Sequence, residues 1–383
     1  MIERTDLTNQ VKKALTRAPV VALLGPRQCG KSTLAGEIAR ETRSTAFDLE
    51  KPVDLSHLEQ PLTALEPLRG LVILDEIQRR TDILPVLRVL ADRRPKPARF
   101  LLLGSASPEL VRNSSESLAG RIEFVEMGGF TLGELPLQDL SRRWLRGGLP
   151  RSYLARSEMD SCHWREAFIQ TFLERDLPLS LDIRIPPVTL HRFWMMLAHY
   201  HGQVWNSSEI ARSMGLSDKT VKHYLDLLTG SFMVRQLQPW YANVGKRQVK
   251  SPKIYFRDTG LLHTLLGLPD KRALMSNPRL GASWEGFMLE QVLVLCKPRD
   301  AFFWGTHGGG EIDLIFQHRG EMVGVEFKFA DAPRLEKSMI VTYDTLNLKR
   351  LFVIYPGKKR YPLAPNIEAW PACEITELAN ALT

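Results

Sequence analysis

Val20-Val21-Ala22-Leu23-Leu24-Gly25-Pro26-Arg27-Gln28-Cys29-Gly30-Lys31-Ser32-Thr33 is an apolar run followed by the pattern G-x-x-x-x-G-K-S. Glycines at 25 and 30 let backbone N–H groups turn inward around a phosphate. Lys31 supplies positive charge to β- and γ-phosphates, and the Ser32 hydroxyl is a ligand for Mg2+. The helix that begins there adds the positive end of its dipole. Leu34 and Ile38, with Ala35 and Ala39, continue at helical spacing. The motif therefore has the strand before it and the helix after it that a nucleotide cradle requires. Gly25, Pro26, Arg27, Gln28, Cys29, Gly30, Lys31, Ser32 and Thr33 are expected to wrap ATP. The competing reading is a glycine turn with no ligand.

Moving outward, residues 1–19 read as an amphipathic helix ended near Pro19. Apolar strands are expected at 20–24, 45–49, 71–76, 99–105 and 122–127. Continuous apolar strands separated by helices mean a parallel sheet covered on both faces, hence an α/β fold. The third strand runs into Asp75-Glu76. Asp75 is expected to hold Mg2+ through water, and Glu76 to orient and activate the attacking water. An acid pair favoured by a helix dipole would look similar. Ser105 ends the fourth strand, where a hydroxyl senses a γ-phosphate or caps the next helix.

The chain has 383 residues, which suggests two to three domains. Its formal net charge is +8 and its pI about 9.3, which permits a polyanionic partner. Cys29, Cys162, Cys296 and Cys373 include no C-x-x-C pair, and one lies in the phosphate loop. Reduced thiols and a cytoplasmic location are expected. The N-terminus has no signal-peptide core, and no apolar stretch approaches a membrane span, so no membrane partner is expected.

In order and spacing, residues 1–185 resemble an AAA+ ATPase of the branch that includes STAND-type and archaeal-type ATPases. The resemblance implies an arginine finger at Arg121, in Leu118-Ala119-Gly120-Arg121, reaching the γ-phosphate of a neighbouring subunit and hence a homo-oligomer. A surface arginine at a helix C-terminus is the alternative. Gly147-Gly148-Leu149-Pro150-Arg151 is similar to the G-x-P element of the helical lid, which implies Pro150 and Arg151 near the adenine, with Arg151 as a second sensor. The lid pattern runs on through Trp144, Tyr153, Trp164, Phe168 and Phe172, and Pro178, Pro186 and Pro187 punctuate a linker.

Residues 207–225 read as a helix-turn-helix. Ser207 or Ser208 is expected to cap the first helix, Gly215 to make the turn and Ser217 to cap the second. Lys219, Thr220, Lys222 and His223 are expected on the exposed face of the second helix. Segments 232–237 and 252–256 then flank 243–250 as a hairpin wing. Its tip carries Lys246, Arg247 and Lys250 without an acid, and Lys253 follows. Such a basic wing grips duplex phosphates, although winged helices also serve only as packing modules.

Beyond Lys271, residues 311–318 and 321–329 alternate as a hairpin turning at Arg319-Gly320. Alternation places Ile312, Leu314, Phe316, Val323, Val325 and Phe327 on a core face, leaving Glu311, Asp313, Glu326 and Lys328 on the other. With a two-residue turn, 313 lies opposite 326, and 311 opposite 328. These residues, with Glu285 on the preceding helix, resemble the PD-(D/E)xK nuclease fold. That resemblance implies Asp313 and Glu326 as Mg2+ ligands, Lys328 as the lysine of the reaction and Glu285 as the helical acid. Ile312 stands where the namesake proline would be.

The complete order resembles bacterial and archaeal ATP-binding proteins of the AAA_14/DUF4143 family. It implies an AAA+ core at 1–136, a helical lid at 137–185, a winged helix at 186–268 and a restriction-endonuclease-like α/β domain at 269–383. The expected activity is ATP hydrolysis, with ATP and Mg2+ as cofactors, in a motor or switch that remodels duplex, branched or forked DNA. Two alternatives belong to other classes: an ATP-gated, Mg2+-dependent endonuclease, and a STAND-like signalling switch that binds protein.

Overall fold

The computed structural model describes residues 2–94, 98–105, 114, 116–177, 185–241, 249–306 and 310–382. β1 (Val20–Leu24) is buried along its whole length, as an unbroken apolar run is when helices cover both sheet faces. β2 (Ser44–Asp48), β3 (Gly70–Asp75), β4 (Ala98–Gly104) and β5 (Ile122–Glu126) join it in a parallel sheet of order β2-β3-β4-β1-β5. Every expected strand of this sheet is present to within a residue at each end. β4 lies between β1 and β3, so the ends that carry the phosphate loop, Ser105 and Asp75 are neighbours. Ligands of open parallel sheets sit at these carboxyl ends. Val20, Ala22, Leu24, Val72, Leu74, Phe100 and Leu102 form the core, with Ile83, Leu84 and Leu87 packed over them.

The chain divides into two compact units. One carries the described residues through Gly129 with short returns at 174–177 and 230–232, and the other takes the rest. The helices expected as a lid, Leu140–Arg146 and Glu158–Thr171, belong to the second unit, and Trp144 and Leu145 of the first of them enter its core. Trp144 donates from Nε1 to Ser283 Oγ at 2.9 Å and packs edge-on against Trp284. Gly147 has φ +78°, and a Cβ there would fall 2.1 Å from Asp258 Oδ1. That glycine is demanded by close packing.

Among the described residues, the second unit is built on one nine-stranded sheet. Its strands are β6 (Gln203–Val204), β7 (Val234–Pro239), β8 (Lys253–Phe256), β9 (Ala301–Gly305), β10 (Glu311–His318), β11 (Glu321–Phe327), β12 (Arg350–Tyr355), β13 (Tyr361–Ala364) and β14 (Ile367–Pro371). Their order is β13-β14-β12-β11-β10-β9-β7-β8-β6. The expected wing pair, β7 and β8, is antiparallel as read, but β7 also pairs in parallel with β9. The segments expected as separate domains at 186–268 and 269–383 therefore share a sheet.

The β10–β11 hairpin turns at Arg319 (φ +50°) and Gly320 (φ +83°), and its paired register runs from His318 opposite Glu321 to Leu314 opposite Val325. Leu314, Phe316, Val323, Val325 and Phe327 enter the large core around Trp284 and Phe287. Ile312 does not: a register shift between Ile312 and Ile315 sends it into the other core, with Ile315, Leu351 and Val353. A bulge breaks the period of two that the expectation rested on.

Candidate functional site

The phosphate loop is held from several sides. A Cβ on Gly25 would lie 1.9 Å from Met127 O, so no other residue fits. Gly30 has φ +102° and ends the loop where the helix Lys31–Arg40 begins. Gln28 is also left-handed, at φ +61°. Arg4, buried near the chain start, donates from Nη1 to Gly128 O at 3.0 Å and from Nη2 to Gly129 O at 3.1 Å. Its Nη1 also reaches Cys29 O at 3.5 Å. Nothing in the pattern around Arg4 marks that role, which exists only in three dimensions.

Lys31 is buried, and its Nζ donates to Gly25 O at 3.0 Å and Pro26 O at 2.9 Å. Ser32 Oγ donates to Asp75 Oδ2 at 2.5 Å. The expected Mg2+ pair is thus brought together from the end of β3 and the first turn of the helix Lys31–Arg40. Burial raises the Asp75 carboxyl above its ordinary range, against the Ser32 hydrogen bond that lowers it. A hydroxyl beside a carboxylate is the hard oxygen donor set that Mg2+ takes.

Glu76 follows in the left-handed region at φ +57°. That conformation costs a non-glycine residue about 1–2 kcal/mol and is often retained at functional sites. Gln78 Nε2 donates both to Glu76 Oε2 and, at 2.9 Å, to Ser105 Oγ. Ser105 therefore takes part in the same network as the expected base. Arg27 Nη2 lies 4.0 Å from Glu76 Oε2 and 3.7 Å from Glu50 Oε1. Sequence reasoning missed Gln78 and gave Arg27 no task beyond the loop backbone. The clue was position alone: Gln78 lies two residues past the acid pair.

Arg121 is placed differently from a free finger. Its Nε and Nη2 bind Asp92 Oδ1 and Oδ2 at 2.6 and 2.8 Å, and Nη1 donates to Ala119 O at 2.8 Å. Pro150 and Arg151 open the short helix Pro150–Tyr153 in the second unit, with Arg151 exposed.

The expected recognition helix is Asp218–Gly230. Ser217 caps it by accepting from Thr220 N at 3.1 Å, and Gly215 makes the turn at φ +69°. The preceding helix Ser207–Met214 is capped by Asn206, which accepts from Glu209 N at 3.4 Å, and not by Ser207 or Ser208. Ser208 Oγ instead donates to Asp218. Lys219, Lys222 and His223 are exposed and Thr220 half-buried, as an outward face requires. Lys250 is exposed, and Lys246 and Arg247 lie outside the described residues.

Lys253 contradicts its expected place. It is 3% exposed, not a surface contact for phosphate. Its Nζ lies 3.1 Å from Glu285 Oε1, 3.3 Å from Asp313 Oδ1 and 2.5 Å from Glu311 Oε1. Tyr255 Oη also donates to Glu285 Oε1, at 2.5 Å. Burial works against the Lys253 charge, but Tyr255 and the three acids raise its pKa well above the ordinary lysine range. Asp313 Oδ2 accepts from Phe327 N at 3.1 Å. Burial, then Asp313, pushes Glu285 up to about 7. Burial and Asp313 likewise hold Glu326 well above the carboxylate range, against Lys328 at 3.7 Å. Glu285 and Asp313 thus meet at the Lys253 ammonium, joined there by Glu311, while Glu326 pairs with Lys328. Among the described residues no group of three or more His, Cys, Asp or Glu is arranged to hold a metal ion.

No described helix is long and apolar enough to cross a membrane. Residues 17–136 match the family described as an AAA domain, residues 137–272 a domain of unknown function (DUF8612), and residues 280–375 a domain of unknown function (DUF4143). The chain is 51% identical over 375 residues to the uncharacterized protein Mb2031c of Mycobacterium bovis, covering 98% of this chain and 85% of that one. The same figures hold for the uncharacterized protein Rv2008c of Mycobacterium tuberculosis. Among solved structures, the Walker-type ATPase PABY2304 of Pyrococcus abyssi is similar with TM-score 0.47 and 14% identity, covering 70% of this chain and 96% of that one. The DNA clamp loader delta protein of Bacillus subtilis has TM-score 0.27 and 14% identity, covering 58% and 87%. With a phosphate loop on β1, an acid pair ending β3, the two family-model matches and relatives 51% identical over 98% of the chain, the chain belongs to the AAA_14/DUF4143 family of P-loop ATPases.

Proposed function

We propose that this protein is an ATP-hydrolysing switch or motor that binds and remodels DNA, including branched or forked DNA. The observation that carries the ATPase part is the Ser32–Asp75 hydrogen bond beside Glu76, with Gln78 joining Glu76 to Ser105. ATP with Mg2+ supplies the scissile phosphoanhydride and neutralises its developing charge. Ser32 and Asp75 are the residues that would hold the metal. Lys31 exchanges its two carbonyl acceptors for phosphate oxygens. Glu76 accepts a proton from water and orients it, and Gln78 fixes the direction of its carboxylate. Ser105, just past the end of β4, reports the γ-phosphate to the rest of the network.

The DNA part rests on clustered charge. Lys219, Lys222, His223 and Lys250 are exposed, and the chain carries a net +8. Phosphate contacts of this kind give affinity without base specificity. Arg121 acts on a neighbouring subunit's nucleotide only if it leaves Asp92, so assembly and that ion pair are linked in this reading. A cytoplasmic location goes with it, since the four cysteines are free.

The test is DNA affinity measured by fluorescence anisotropy without nucleotide, with ADP and with a non-hydrolysable ATP analogue. The reading expects affinity to differ between nucleotide states by roughly fivefold or more, the usual size of a coupling between sites. Absence of DNA binding in every state, with assembly on ATP, would instead favour a signalling switch that binds protein.

A further inference from the structure

The acid cluster of the second unit is already supplied with a cation. Lys253 comes from β8, Glu285 from the helix Leu280–Cys296, and Glu311 and Asp313 from β10. The lysine Nζ has three carboxylate partners within 3.3 Å, and it lies 5.6 Å from the centre of the Phe303 ring. The second oxygen of Asp313 accepts from the Phe327 backbone. Glu326, the acid expected to share a metal with Asp313, is hydrogen-bonded to Asp313 and lies 3.7 Å from Lys328 Nζ, which supplies it with a cation of its own. Mg2+ demands about six oxygens at about 2.0–2.1 Å in octahedral geometry. A divalent ion on Asp313 would stand directly against a buried ammonium already 3.3 Å from that carboxylate.

We infer that Lys253 is the resident cation of this cluster, and that the second unit does not cut DNA by metal-assisted hydrolysis. The cluster is an internal ion-pair lock that ties β8 to the helix Leu280–Cys296 and to β10. Glu311 extends this lock to the protein surface, where its side chain is half exposed. The assignment is independent of the nucleotide site, which lies in the other unit.

The test uses the full chain without nucleotide and Mn2+ as the probe, read by electron paramagnetic resonance. Wild type and Asp313→Asn are expected to bind Mn2+ alike. Lys253→Met is expected to gain about one bound Mn2+ per chain, as freed carboxylates take a hard cation. Lys253→Met with Asp313→Asn is expected to lose that gain. A wild-type Mn2+ site that Asp313→Asn abolishes overturns the inference, as does a folded Lys253→Met chain with no gain. If Lys253→Met does not fold, the wild-type comparison still decides. A second readout is cleavage. Wild type with Mg2+ is expected to leave single-stranded, duplex and forked DNA intact, and cutting that Glu326→Ala removes overturns the inference.

Discussion

Ser32 Oγ and Asp75 Oδ2 lie 2.5 Å apart, joined by a hydrogen bond that the serine donates. The two residues are 43 positions apart in sequence and come from the end of β3 and from the first turn of the helix that follows β1, two strands that are not neighbours in the sheet. β4 between them sets the spacing. Ser105, just past the end of β4, accepts from Gln78, which also holds Glu76. The polar groups assigned to hydrolysis in this reading thus stand at the carboxyl ends of three neighbouring strands.

Lys31→Ala is expected to weaken ATP binding by roughly 10- to 100-fold, the worth of a charge-assisted hydrogen bond or two. Isothermal titration with ATP and Mg2+ measures it. The fold should survive, because Lys31 caps only two carbonyls of its own loop. Unchanged affinity would remove Lys31 from the site.

Glu76→Gln is expected to bind ATP with near wild-type affinity and to lose turnover by about 10²–10⁴-fold, the range for general-base removal. Gln78→Leu is expected to lower kcat and leave KM nearly unchanged, since Gln78 orients Glu76 and does not hold the nucleotide. Steady-state phosphate release gives both constants. Normal turnover in Glu76→Gln would reassign the base.

Replacing Lys219, Lys222 and Lys250 by alanine is expected to weaken DNA binding and flatten its salt dependence by about 0.9 in slope for each phosphate that is no longer neutralised. Anisotropy between low and moderate salt reads the slope. Since all three side chains are exposed, thermal stability should move little. An unchanged slope would place the DNA surface elsewhere.

His263 predicts a pH dependence of stability. It is fully buried between Leu145 O and Ser283 Oγ, and burial lowers its pKa to about 4 from an ordinary 6.5. The unfolded chain therefore binds the proton first. Stability is complete above pH 6.5 and falls as pH drops toward 4, by about 3 kcal/mol from this group. Buried His201, lowered to about 3, adds in the same direction. Thermal unfolding from pH 7 to pH 4.5 checks it. Relative to wild type, His263→Gln should be least penalised at the acid end.

The nucleotide site was legible because its information is local. A glycine pair, a lysine and a serine within nine residues specify the loop, and an apolar run ending in two acids specifies β3. The β10–β11 register was legible for the same reason, since period two and a two-residue turn fix it. Lys253 was misread because a lysine beside a basic tip looks solvent-exposed. Its partners lie 32, 58 and 60 residues away, and only the shared sheet brings them together. Ile312 was misassigned because a bulge leaves no mark in hydrophobic alternation. Arg4 and Gln78 escaped notice because neither belongs to a motif, and their partners appear only once the strands are ordered.

Whether the Ser32–Asp75–Glu76 site hydrolyses ATP in service of DNA is decided by ATP turnover of the full chain with and without single-stranded, duplex, forked and four-way-junction DNA. Turnover is expected to be stimulated by at least one of these DNAs, abolished by Glu76→Gln and reduced by loss of Lys219 and Lys222. Turnover that survives Glu76→Gln, or that ignores every DNA, is incompatible with that function.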